Sequence, residues 1–298
     1  MIRTHGLVKR YGTHAALDGV DLEVPAGSVY GLAGPNGAGK TTLLGILAGL
    51  RKATEGEVTV AAETGEVAVL PDTPRFDPWL TGREVVALAL TLGSGTHSVT
   101  TREDAERVDE VLEQSGLTDA ARRRCGGYSR GMLQRLGIAS TLVARPSLIL
   151  LDEPASALDP QGRREVLDLI NTLRGHATVL FSSHILGDVQ EVCDTVGILH
   201  HGRLLFQGPL SDLLVGRAVP RYELRVRDGA DAVAGALSRE AWVSSATAAE
   251  GGIVHVEVRS LADAERHLMG ALAATGASVV SMRPEEVSLE RAFLELTS

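Results

Sequence analysis

The sequence predicts an α/β domain over residues 1–217 followed by a small α+β domain over residues 218–298. Three observations carry this expectation. Runs that are apolar nearly throughout, at 67–70, 148–151, 178–181 and 196–199, suit parallel strands covered on both faces. Segments of helical period lie between them, and strands alternating with helices are the mark of a layered α/β domain. Past residues 216–220, which read as a boundary, the pattern changes to a few strands and helices in an order that fits a small α+β sandwich.

Taken in order, the chain starts with strands at 2–7, 20–24 and 28–33, the last running straight into a glycine-rich turn with a helix from Lys40. Helices follow at 83–92, 102–114, 132–144, 161–173 and 185–192, the first three of them within a helical subdomain of about 75–145. In the second domain the expected strands are 222–226, 254–258 and 278–281, with helices near 231–237 and 261–274. Leu289, Ala292, Phe293 and Leu296 form an i, i+3, i+4, i+7 stripe, so a final helix should present them to its own small sheet or to a dimer mate.

Composition narrows the function classes. The chain of 298 residues exceeds what one compact core needs, and with 3% aromatic residues its cores must rest on Leu, Val, Ile and Ala. No apolar run approaches the roughly 20 residues that cross a bilayer. The N-terminus lacks the apolar core of a secretory signal, so a cytoplasmic location is expected. Cys125 and Cys193 have neither metal-ligand nor C-x-x-C spacing and read as packing residues. A formal charge of -9 argues against nucleic-acid binding.

Two motifs carry chemistry. GPNGAGKT (Gly34, Pro35, Asn36, Gly37, Ala38, Gly39, Lys40, Thr41) stands between a predicted strand and a predicted helix, the context a phosphate-binding P-loop requires. Its glycines let backbone N–H groups face phosphates at a helix N-terminus. Lys40 would reach the β- and γ-phosphates and Thr41 would ligate magnesium, with Thr42 next in the ATP-binding run. LILLDEP then places Asp152 and Glu153 at the end of an apolar strand, where such sheets open their ligand crevice. Asp152 would hold Mg2+ and Glu153 would orient or deprotonate the attacking water.

Between the two motifs lies YSRGMLQRLGIA, residues 128–139, which resembles the signature of ATP-binding-cassette (ABC) proteins. The resemblance covers residues 1 to about 215 and takes in KRYG around Tyr11, SALD at 156–159 and SSH at 182–184. It implies a P-loop ATPase of the ABC type that works as a head-to-tail dimer, with ATP and Mg2+ at the interface. It implies that Ser129, Arg130, Gly131 and Asp159 contact ATP across that dimer, that Tyr11 stacks on adenine, and that His184 reaches the γ-phosphate beside the attacking water. Independently of the family, Ser129 is a suitable N-cap for the helix after it.

Three places depart from the family pattern or stay open. Arg130 and Met132 replace a glycine and a glutamine of the common signature; Arg130 either adds a charge-assisted phosphate contact or is a solvated helix start. Asp72 stands where the family often has a magnesium-sensing glutamine, which puts its expected metal contact in question. Phe76, Trp79 and Leu80 form either a docking surface for a partner helix or a loop tucked onto its own domain. His200 and His201 read as an exposed hairpin, and the run of arginines at 122–124 as a solvated face.

The resemblance implies the ATPase half of a transporter, peripheral on the inner face of the cell membrane and bound to a separate transmembrane permease, with a homodimer of nucleotide-binding domains. YSRGM and the ending EEVSLERAFLEL resemble bacterial drug-exporter cassettes, so export is expected; an importer ATPase, or a soluble cassette acting on DNA or the ribosome, is the alternative.

Overall fold

The structure, a computed structural model, describes residues 1–63, 65–94, 101–156, 158–215, 221–285 and 289–297. The expected boundary at 216–220, Ala157 of the SALD motif and part of the C-terminal ending lie outside the described residues. Residues Met1–Asp212 with Phe293–Ser298 form one compact unit and Leu213–Ala292 a second.

Along the chain run β1 (Ile2–Tyr11), β2 (His14–Val20), β3 (Glu23–Val24), β4 (Val29–Ala33), α1 (Lys40–Leu47), β5 (Glu55–Val60), β6 (Val67–Leu70), α2 (Gly82–Ser94), α3 (Arg102–Gln114) and α4 (Arg130–Leu142). There follow β7 (Leu148–Asp152), α5 (Pro160–Thr172), β8 (Thr178–Ser183), α6 (Leu186–Val192), β9 (Thr195–His200), β10 (Arg203–Pro209) and α7 (Leu210–Val215). The remainder comprises β11 (Arg221–Val226), α8 (Ala230–Leu237), β12 (Val243–Ala249), β13 (Ile253–Val258), α9 (Leu261–Ala274), β14 (Val279–Glu285) and α10 (Leu289–Thr297).

The main sheet has the order β10-β9-β4-β8-β7-β6, parallel except for the β9–β10 hairpin. Every residue of β4, β7 and β8 is buried, as a strand covered on both faces requires. Strand β6, expected among the covered strands, is instead the sheet edge, with only Leu70 of its four residues fully buried. A second, antiparallel sheet pairs β1 with β2, β3 and β5. The expected strand at 20–24 is there divided between the end of β2 and the two residues of β3, and β5 was not anticipated at all. Leu7, Leu17 and Val20 from this sheet, with Leu22 between β2 and β3, join Leu32, Leu43, Leu150 and Leu180 in one apolar core. Helices α2, α3 and α4 pack on one another. Both cysteine thiols are buried, and burial pushes their pKa values upward, in keeping with packing roles.

The second unit has an antiparallel sheet in the order β12-β13-β11-β14 with α8 and α9 packed over a core of Leu224, Val233, Leu237, Val254, Val256 and Leu268. The alternation of half-buried and buried residues in β13 is that of a strand with one face on a core. The final stripe does not act as one surface. Leu289 and Ala292 are buried and cluster with the second unit, while Phe293 falls in the first, its ring edge-on to His200 at 6.0 Å. The β9–β10 hairpin, read from the sequence as exposed and given no role, supplies that aromatic contact.

Candidate functional site

Strand β4 delivers the chain into the loop 34–39, where two glycines are needed for space. A Cβ on Gly34 would stand 2.2 Å from the Leu199 carbonyl oxygen, and one on Gly39, whose φ is 109°, would stand 2.4 Å from that of Ala16. Gly39 is also the N-cap of α1 and supplies no side-chain hydrogen bond to it. The first-turn N–H groups of α1 are therefore left without a side-chain cap, at the end of the helix that favours anions.

Lys40 opens α1 and is buried, with 6% of its side chain exposed. Its ammonium donates to the carbonyl oxygens of Gly34 at 2.6 Å and Pro35 at 3.2 Å. It also lies 3.2 Å from Glu153 Oε1, an ion contact made without hydrogen-bond alignment. Glu153 follows directly on β7 and has a φ of 50°, a left-handed backbone that a carboxylate residue adopts only where its surroundings enforce it. Its second oxygen, Oε2, lies 2.7 Å from His184 Nδ1, so the carboxylate stands between an ammonium and an imidazole.

The bend that aims Glu153 is held by a hydroxyl from the neighbouring strand. Ser182 donates to Asp152 Oδ1 at 2.6 Å and accepts from the Glu153 N–H at 3.1 Å. Behind it, the buried Gln134 of α4 donates to the Pro154 carbonyl oxygen at 3.1 Å, tying the helical subdomain to the loop after β7. Asp72 accepts from Ser156 at 3.2 Å and from its neighbour Thr73 at 3.4 Å.

These groups open on one cleft of about 520 Å³, lined by Tyr11, His14, Ala16, residues 36–42, Asp72, Arg130, Glu153, Ser156 and His184. Residues that were widely separated in the sequence thus meet in one place. Gly34 and Pro35 take part through their carbonyls, and Asp152 sits behind the cleft wall, 5% exposed. The structure also brings in His14, Ser156 and Ser182, to which the sequence reading assigned no role. The signal was present in the SALD and SSH motifs for the two serines; His14 had none.

Ser129, Gly131 and Asp159 lie in a different hollow, of about 460 Å³, at the N-termini of α4 and α5. Here the helix ends are capped: the Ser129 hydroxyl accepts from Met132 N–H and the Asp159 carboxylate from Gly162 N–H. Arg130, grouped with these residues in the expected cross-dimer contact, is found lining the Lys40 cleft and not this hollow.

Among the described residues no group of three or more His, Cys, Asp or Glu side chains could hold a metal ion. Thr41 and Asp72 line the cleft and Asp152 lies behind its wall; all three are oxygen donors, the ligand type that a small hard cation takes. Among the described residues no helix is long and apolar enough to cross a membrane.

Comparison with known proteins gives a consistent result. The ABC transporter family profile matches residues 17–156. An uncharacterized ABC transporter ATP-binding protein of Bacillus subtilis (strain 168), YxlF, is 36% identical over 300 residues, covering 99% of each chain. The bacitracin transport ATP-binding protein BcrA of Bacillus licheniformis is 37% identical over 72% of this chain and 71% of its own. Among solved structures, the dimeric bacterial ABC transporter cassette MJ0796 superposes with a TM-score of 0.64 at 26% identity, over 70% of this chain and 99% of that one.

Proposed function

This chain belongs to the ATP-binding subunits of ABC transporters, and on that premise we propose that it binds Mg-ATP in the Lys40 cleft and hydrolyses it to drive export through a separate membrane-spanning partner. The observation that carries the assignment is the meeting of Lys40, Glu153 and His184 in one cleft with Tyr11 at its rim.

In this reading the uncapped end of α1 and the Lys40 ammonium hold the triphosphate, and Tyr11 stacks on the base. Glu153 takes the proton of the attacking water, and His184, 2.7 Å from that carboxylate, orients it and reaches the γ-phosphate. The left-handed backbone at Glu153 and the Ser182 hydroxyl keep the carboxylate aimed into the cleft. Thr41, Asp72 and Asp152 would hold magnesium, which supplies positive charge to the phosphate oxygens. The Ser129, Gly131 and Asp159 hollow serves a second copy of the chain, contacting the nucleotide bound there, and Arg130 reaches the phosphates from within its own cleft.

Export is supported by the relatives, among them BcrA and the daunorubicin/doxorubicin resistance ATP-binding protein DrrA of Streptomyces peucetius, 37% identical over 76% of this chain. The chain then sits at the cytoplasmic face of the membrane as a homodimer, and the second unit is an accessory domain with no catalytic group. The test is phosphate release by the purified chain: turnover should require ATP, stop when magnesium is chelated, and rise more than linearly with chain concentration. Turnover that survives chelation would remove magnesium from this reading, and a strictly linear dependence would remove the dimer.

A further inference from the structure

Tyr11 ends β1 at the rim of the cleft with 45% of its surface exposed, so little packing fixes its ring. What does touch it is polar. Arg51, just past the C-terminal end of α1, donates from Nη1 to the Tyr11 hydroxyl at 2.7 Å. Its backbone N–H is itself anchored on the Gly45 carbonyl oxygen at 2.9 Å. Gly45 leaves room for the guanidinium stem, since a Cβ there would stand 3.0 Å from both Cδ and Nε of Arg51.

The surrounding segment is laced to the same strand. Lys9 holds its ammonium 5.1 Å from the Tyr11 ring centroid while donating to the Lys52 carbonyl oxygen at 2.7 Å. Thr54 donates its N–H to the Val8 carbonyl and accepts at its hydroxyl from the Arg10 N–H. Residues 51–54 thus form a brace along β1, and the Arg51 guanidinium is the part of it that reaches the phenol.

From this we infer that Arg51 is a positioning residue for base binding: it holds the Tyr11 ring in place at the cleft rim, so that the nucleotide meets an ordered stacking surface. The inference rests on the reading that Tyr11 stacks on the base. Its logic is that of preorganisation, because a side chain already fixed need not be ordered when the ligand binds. A guanidinium suits the task through its rigid fork of donors. Since Arg51 is anchored on the helix whose first residue is Lys40, the brace also fixes the base-binding ring relative to the phosphate-binding end. The Tyr11 hydroxyl carries a chemical mark of the contact: the hydrogen bond from Arg51 is the leading cause that lowers its pKa below that of an ordinary tyrosine.

The test is a double-mutant cycle read by fluorescent-ATP titration of the full chain, with Tyr11→Ala as the control. Tyr11→Ala should weaken binding about ten-fold or more, the loss expected for a stacked base. Arg51→Met and Tyr11→Phe should each weaken it about two- to ten-fold, and the double variant should be no worse than either single one. In Arg51→Met the phenolate absorbance of Tyr11 should also appear at higher pH than in the parent chain. If Tyr11→Ala is damaging while Arg51→Met binds like the parent, or if the two single losses multiply, the positioning role is wrong and the stacking reading stands. If Tyr11→Ala itself leaves affinity unchanged, the stacking reading fails and the inference fails with it.

Discussion

The Lys40 cleft and the Ser129 hollow are both polar cavities at helix N-termini, but they treat those ends differently. Helix α1 begins at a glycine that offers no cap, whereas α4 and α5 begin at Ser129 and Asp159, whose side chains satisfy N–H groups of their own first turns. An uncapped helix end keeps all its free donors for a ligand, while a capped one has already committed one of them to its own side chain. The cleft also brings its own buried cation and carboxylate, while the Ser129 hollow is bordered by the half-exposed Arg135 and Glu165, 3.7 Å apart. The difference fits the proposed division, in which the first site holds the nucleotide and the second meets it across a dimer.

The largest expected effect lies in the chemical step. Glu153→Gln should keep ATP affinity and slow hydrolysis by roughly 100- to 10,000-fold, the usual worth of a positioned base, as read by phosphate release. Near-parental turnover would show that Glu153 is not the base. Next in size, Lys40→Ala should weaken ATP binding by about 1.5 to 3 kcal/mol in a fluorescent-ATP titration, because a charge-assisted bond to phosphate is lost. The same change leaves the Glu153 carboxylate short of its ammonium, so the thermal midpoint should fall, and adding Glu153→Gln should restore part of it. No recovery in the double variant would mean that the pair is not coupled in the folded chain.

The smallest change probes the second hollow. Ser129→Ala removes a helix cap and should cost about 1 kcal/mol of stability in a denaturant titration. ATP affinity measured on dilute chain should stay as it was, while turnover at high concentration falls. A loss of affinity in dilute solution would collapse the distinction between the two sites.

The legibility of this molecule in its sequence follows the same physical divide. Strands β4, β7 and β8 were readable because burial on both faces leaves an unbroken apolar run. Strand β5 reads EGEVTV and β12 reads VSSATAA, and both owe their strand state to partners distant in sequence: β5 to β1, β12 to β13. The site divides in a similar way. Lys40, Asp152 and Glu153 stand in contiguous motifs whose spacing encodes their chemistry. Ser182, Ser156 and Arg51 act on residues 29–30, 84 and 40 positions away, and only the folded chain reveals those pairings. The final stripe misled for a related reason, since helical spacing shows which residues share a face but not that Phe293 would find its partner in the β9–β10 hairpin.

The three oxygens around Lys40 have a consequence for the pace of the cycle. Because the ammonium already holds the Gly34 and Pro35 carbonyls and lies against Glu153, an arriving phosphate replaces oxygen partners with other oxygen partners. The net gain is the difference between two well-satisfied arrangements, much smaller than the gross strength of either. On the proposed function, these carbonyls and the carboxylate would compete for Lys40 again once the terminal phosphate has left. On that reading the loop carries a competitor for its own product, set by the same three oxygens that surround Lys40.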